Sequence, residues 1–225
     1  MIQRGLRLTS CSSDRLSSSF YWPLPPFFHR KSPHLAITIF DTPVLSPIIR
    51  IGCLLTLRLL GWRVSGKLPG ADRFVMIAHP HTASVDLTLM LSVAFVFRLK
   101  LHWIGKQSLF TGWRGPIMNW MGGLPIERAG GGNEVSRVSD HFTGRRKIAL
   151  AIAPKGTRSK SNDWRSGFYW IAVEAKVPIL LSFLDFKAKH TGVGDLFYPT
   201  GDADKDIAEM QEFYVGMEGK YPEQD

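Results

Sequence analysis

Cysteine is nearly absent from the 225-residue chain, which holds Cys11 and Cys53 and no others. Two thiols build no disulfide framework, and neither lies beside a candidate site. They read as free thiols of a reducing compartment. Acids are scarce too: 19 Asp and Glu face 28 Lys and Arg, a formal charge of +9. That balance excludes an acidic surface and favours polyanions as partners, among them nucleic acid, phosphorylated substrates and anionic lipid. No apolar run reaches the roughly 18 residues that a membrane-spanning helix needs. The nearest, PIIRIGCLLTLRLLGW at 47–62, is cut by Arg50 and Arg58, and LTLMLSVAFVF at 87–97 is too short. The GxxxxGK phosphate loop and internal repeats are also missing, which excludes a P-loop enzyme and a solenoid.

What is present is enough for one good core: 44% of residues are hydrophobic and 21% charged. Residues 1–36 stand apart. They are rich in Ser and Arg, hold a single acid, Asp14, and carry Pro23, Pro25, Pro26 and Pro33. The composition is that of a disordered or targeting-like extension, with a true start farther downstream as the alternative. Prolines break any amphipathic helix there, so a poorly ordered segment is expected. Residues 37–225 form the expected folded domain.

Residues 43–62 read as a helix, apolar on most sides, with Arg50, Arg58 and Arg63 spaced along it. Such a helix suits the surface of an anionic membrane, its arginines snorkelling to water, or equally a place on the core. Beyond it the pattern alternates. FVMIAH (74–79), LHWIGK (101–106), GLPIER (123–128), KIALAIAP (147–154) and VPILLSFLDF (177–186) read as strands. LTLMLSVAFVF (87–97), PIMNWMG (116–122), 133–147, FYWIAVEAK (168–176) and a C-terminal segment with Ile207, Met210 and Tyr214 at helical spacing read as helices. Strands alternating with helices imply an α/β fold, its sheet mostly parallel and covered on both faces.

Polar residues collect at the strand ends: His79 and His81 after the first strand, Lys106 after the second, Arg128 after the third, and KGTRS (155–159) after the fourth. Sites of α/β sheets form beyond the carboxyl ends of strands, so these groups can converge. Within HPHTASVD (79–86), an Asp86 in the first turn of the next helix can reach back to His81. An aspartate on one imidazole nitrogen fixes the tautomer and leaves the other nitrogen as a general base. Two other readings stand beside it. His81 and Asp86 can simply cap the helix. Alternatively His79 and His81, on one face by strand alternation, can join Asp86 as ligands of a hydrolytic metal. In KGTRS, Gly156 permits a tight turn, Thr157 offers a hydroxyl and Arg158 a bidentate fork, so with Lys155 the turn suits an anion.

Taken together, HTASVD, IGKQSLF, GGLPIER, APKGTRS and VPILL occur in an order and spacing that resemble the lysophospholipid and glycerol-phosphate acyltransferases. The resemblance runs from about Thr42 through FYPTGDADKDI to the end. It implies an α/β acyltransferase domain preceded by a membrane-associating helical element, lying peripherally on the cytoplasmic face. It implies a fatty acyl donor, acyl-CoA or acyl carrier protein, and a lysophospholipid acceptor such as 1-acyl-glycerol-3-phosphate. Neither a metal, a cofactor nor a nucleic-acid partner is implied. By position, His81 and Asp86 match the family's catalytic pair. Lys106, Arg128, Gly156, Thr157 and Arg158 match its phosphate-binding residues, and Pro178 its fourth block. Two departures show. Lys155 stands where the family usually has glutamate, and His79–Pro80 and Thr82 flank the histidine where the family often has asparagine. A lipid- or phosphate-binding protein of weak activity is the reading that Lys155 keeps open.

Overall fold

A computed structural model of the chain describes residues 37–68, 70–126, 134–157 and 163–224. The expectation for residues 1–36 therefore lies outside the described residues. A 3-10 turn leads into α1 (Leu45–Leu59), followed by β1 (Arg63–Ser65), β2 (Arg73–His79), α2 (Val85–Val96) and β3 (Leu101–Lys106). Then come α3 (Arg114–Trp120), β4 (Gly123–Ile126), α4 (Glu134–Ser139), β5 (Ile148–Ile152), α5 (Gly167–Ala175), β6 (Ile179–Asp185), β7 (His190–Phe197) and α6 (Ala203–Glu212).

The seven strands form one sheet in the order β1-β7-β6-β2-β5-β3-β4. Every pairing is parallel except β6 with β7. The centre is β2, in register with β5 through Val75 and Leu150 and with β6 through Val75 and Ile179. A strand flanked on both sides and covered on both faces must be apolar throughout, which is why FVMIA shows no polar alternation. Period-two geometry then deals its residues to two cores. Val75 and Ile77 join Leu150, Ile179, Phe168, Tyr169 and Met210 beneath α5 and α6. Phe74, Met76 and Ala78 join Leu101, Trp103, Ala151, Met90, Leu91 and Ala94 beneath α2, with Met118 of α3 packed alongside. Each fully buried aliphatic side chain contributes about 1.5–3 kcal/mol of transfer free energy.

Two strands lie outside the pattern read from sequence. β1 is three residues long, and β7 (HTGVGDLF) has glycines where apolar alternation would be. Pairing with β6 and β1 holds it in place. Gly192 and Gly194 are needed there, because a Cβ would strike the Ser65 carbonyl at 2.0 Å and the Phe213 ring at 2.7 Å. On β3, His102 points away from Leu101 and Trp103 and is 7% exposed. Burial, aided by the Arg145 guanidinium, pushes its imidazole down to about 4.

Helix α1 packs on α2 through Leu57, which meets Leu89 and Leu184. Its outer face leaves Ile48, Ile51, Leu55 and Leu59 exposed, the last by 86%. Among the described residues no helix is long and apolar enough to cross a membrane.

Candidate active site

At the carboxyl edge of the sheet, β2 stops at His79 and the chain turns before α2 begins at Val85. Asp86 sits in the first helical turn and is 2% exposed. Its Oδ2 accepts the backbone N–H groups of Thr82 and Ala83, both at 2.8 Å, and lies 3.0 Å from His81 Nδ1. A carboxylate that already accepts two amide protons has only acceptor capacity left for the imidazole. Nδ1 therefore carries the proton and Nε2 keeps its lone pair. No hydrogen bond within the described residues engages Nε2, and the His81 side chain is 29% exposed.

His81 lines a cavity of about 360 Å³ together with Asp86, Ser84, Lys106, Gly156 and Thr157. Its remaining wall is largely apolar: Ala78, Leu87, Met90, Trp103, Leu109, Ala151 and Leu184. Trp103 is fixed there by a 3.1 Å bond from its Nε1 to the Met121 carbonyl. Gly156 takes φ +64, a left-handed turn that a side chain would resist, and bonds back to the Ala153 carbonyl at 3.0 Å. Of the seven residues marked in the sequence, five thus meet at one cavity: His81, Asp86, Lys106, Gly156 and Thr157. Arg128 and Arg158 lie outside the described residues.

Two expectations are corrected. His79 and His81 do not share a face, because strand alternation ends where β2 ends. His79 turns to the opposite side of the sheet, where its ring meets Trp164 and Tyr214 edge-on at 5.2 and 5.0 Å. No three metal-ligating side chains cluster among the described residues, so the metal arrangement of His79, His81 and Asp86 does not form. Lys155 likewise leaves the turn it was grouped with. It is 8% exposed and lines a separate cavity of about 470 Å³ with His79, Trp164, Tyr214 and Glu218. Lys155 is therefore not a wall of the His81 cavity.

Sequence reasoning missed the apolar wall and one support. The backbone N–H of Tyr221 donates to Thr82 Oγ1 at 3.1 Å, and Gly219 packs so close that a Cβ would lie 2.6 Å from the Thr82 methyl. The C-terminal segment thereby braces the loop that carries His81. A glycine after an amphipathic helix was the available signal, but nothing local says what it touches. FYPTGDADKDI is tied down through Asp206, which accepts from Tyr169 Oη at 2.8 Å and from Thr200 N at 2.7 Å.

The acyltransferase family model matches residues 63–180, more than half of the chain, and takes in His81, Asp86, Lys106, Gly156 and Thr157. The chain belongs to the acyltransferase family. This acyltransferase transfers an acyl group, and its fold is an α/β domain with a mostly parallel sheet. The crystal structure of the 1-acyl-sn-glycerophosphate (LPA) acyltransferase PlsC from Thermotoga maritima is similar to it, with a TM-score of 0.51 and 15% identity. The match covers 78% of this chain and 82% of that one. No curated protein matches this acyltransferase significantly.

Proposed function

We propose that this acyltransferase moves a fatty acyl group from acyl-CoA or acyl carrier protein to the free hydroxyl of a lysophospholipid, 1-acyl-glycerol-3-phosphate or a close relative, in phospholipid synthesis. The observation that carries the proposal is the His81–Asp86 pair, held at 3.0 Å with the carboxylate pinned by two backbone amides, at the wall of a half-apolar cavity.

In this reading Nε2 of His81 removes the proton of the acceptor hydroxyl as its oxygen attacks the thioester carbonyl. Asp86 holds the ring and stabilises the imidazolium. The tetrahedral intermediate collapses, the C–S bond breaks, and the imidazolium returns its proton to the departing thiolate. Lys106, Arg128, Gly156, Thr157 and Arg158 hold the acceptor phosphate. General-base catalysis contributes roughly a hundred- to ten-thousandfold. Positioning by the phosphate clamp contributes more, on the order of 7–11 kcal/mol at its best. The walls of Met90, Trp103, Leu109 and Leu184 suit an acyl chain.

The acceptor is a membrane amphiphile. The exposed apolar face of α1, with a chain charge of +9, supports peripheral attachment to an anionic membrane at the cytoplasmic face. Residues 37–225 make up the catalytic domain and residues 1–36 an extension to it.

A thiol-release assay with acyl-CoA across several lysophospholipids tests the proposal. Release that depends on a phosphorylated acceptor is expected, and no release with any lysophospholipid overturns it. Arg128→Ala raises the Michaelis constant for the phosphorylated acceptor far more than that for acyl-CoA. Equal changes in both would remove Arg128 from the clamp.

A further inference from the structure

A second apolar surface, separate from α1, starts at the cavity itself. Leu109 sits on the 3-10 turn Gln107–Phe110, and after the break at Thr111 and Gly112 the residues Trp113, Ile117 and Trp120 follow at spacings of four and three on one side of α3; these four make up the stripe. They are exposed by 42%, 75%, 41% and 38%. The stripe cannot turn inward, because the opposite side of the element is already docked. Phe110 lies against the sheet where Gly105 and Gly123 leave room, and a Cβ at either would come within 3.0 and 2.7 Å of its ring. Met118 packs with the core beneath α2. Leu109 also lines the His81 cavity, so the stripe continues the cavity wall out to the surface.

Charge identifies the occupant. Residues 101–126 contain no Asp or Glu. Exposed Lys106 stands at the cavity end, and the Arg114 guanidinium lies 5.6 Å over the Trp113 ring. Tryptophans with an apolar body and a polar N–H, flanked by cations, match the headgroup region of an anionic bilayer. A protein partner would be expected to bring acids to a patch of this kind, whereas the lipid surface brings phosphates and acyl chains together.

We infer that the Leu109–Trp113–Ile117–Trp120 stripe inserts into an anionic bilayer and sets the mouth of the His81 cavity on it, so that the acceptor enters without leaving the lipid. The inference rests on the reading of the acceptor as a membrane amphiphile. α1 tethers the chain, and the stripe aims the cavity.

The test uses the full chain, with α1 intact, and the variant Trp113→Ser/Ile117→Ser. Both positions are exposed and neither lines the cavity. Co-sedimentation with vesicles of phosphatidylglycerol and phosphatidylcholine should weaken at least tenfold. Turnover of a long-chain lysophospholipid carried in those vesicles should fall at least tenfold, while turnover of a short-chain acceptor, monomeric in solution, stays within twofold. Trp113→Phe should restore most of the binding. Unchanged vesicle binding overturns the inference, and so does a variant whose main change, by light scattering, is loss of a dimer, which makes the stripe a contact between two copies. A chain that binds vesicles through the stripe yet releases no thiol with any acceptor overturns the proposed reaction instead and leaves the surface assignment standing.

Discussion

On the α2 side of the sheet's carboxyl edge, His81 stands half open to a cavity, its Nδ1 committed to a buried carboxylate and its Nε2 left for a substrate. On the α6 side, two residues earlier, His79 is 9% exposed and boxed by Trp164 and Tyr214. Lys155 and Gly156 repeat the division. The lysine is buried beside His79, and the glycine turns beside His81. Neighbours in sequence thus receive opposite environments because the strands end between them. A motif counted by residue type cannot make this distinction, since the side of the sheet decides which polar groups can meet a ligand.

His81→Ala should break the comparison most deeply: turnover falls by roughly a hundred- to ten-thousandfold with the melting temperature unchanged. If thiol release survives, the open side is not where the base sits. Asp86→Asn should follow, at up to about ten-thousandfold in kcat. The amide oxygen can still accept both backbone N–H groups, but its NH2 then takes the buried place of Oδ1, where no acceptor waits, so stability falls by about 1–3 kcal/mol. A fall in stability without one in kcat would make Asp86 only a helix cap.

A third histidine sharpens the contrast from the buried side. The unfolded His102 takes its proton near 6.5 and the folded one only near 4. Between those values the unfolded state binds more protons, so stability rises with pH. Acidifying from pH 7 to 4 should remove up to about 3 kcal/mol through this one group. Urea unfolding at both pH values checks this, since His102→Gln should flatten the slope. The smallest effect belongs to His79→Phe. An apolar ring in an aromatic box should move stability by about 1–2 kcal/mol and leave turnover per folded molecule intact. Loss of turnover with normal folding would mean that the closed side takes part in the reaction.

The alternation of apolar runs was enough to place β2, α2, β3, α3, β5, α5, β6 and α6, because buried parallel strands and their helices carry long runs. It failed at β7, whose glycines answer to the Ser65 backbone and the Phe213 ring rather than to any period. The convergence of His81, Asp86, Lys106, Gly156 and Thr157 was legible because strand ends of a parallel sheet share one edge. The directions of His79 and Lys155 were not, because they depend on the residue at which pleating stops. The brace from Gly219 and Tyr221 to Thr82 links positions far apart in the chain, and no local rule connects them.

The central place of β2 also sets the order in which the molecule can be finished during synthesis. β2 is made early, yet its neighbours on both sides, β5 and β6, are made last but for one hairpin strand and the final helix. His79 has Phe183 as its register partner, so the ribosome must pass residue 183 before the strand that presents the HPHTASVD loop is flanked. Contacts so distant in sequence close slowly and leave apolar edges open meanwhile. A nascent chain halted before β6 therefore holds all of HPHTASVD and every wall of the cavity except Leu184, with the β6-facing edge of β2 left open for a chaperone to cover.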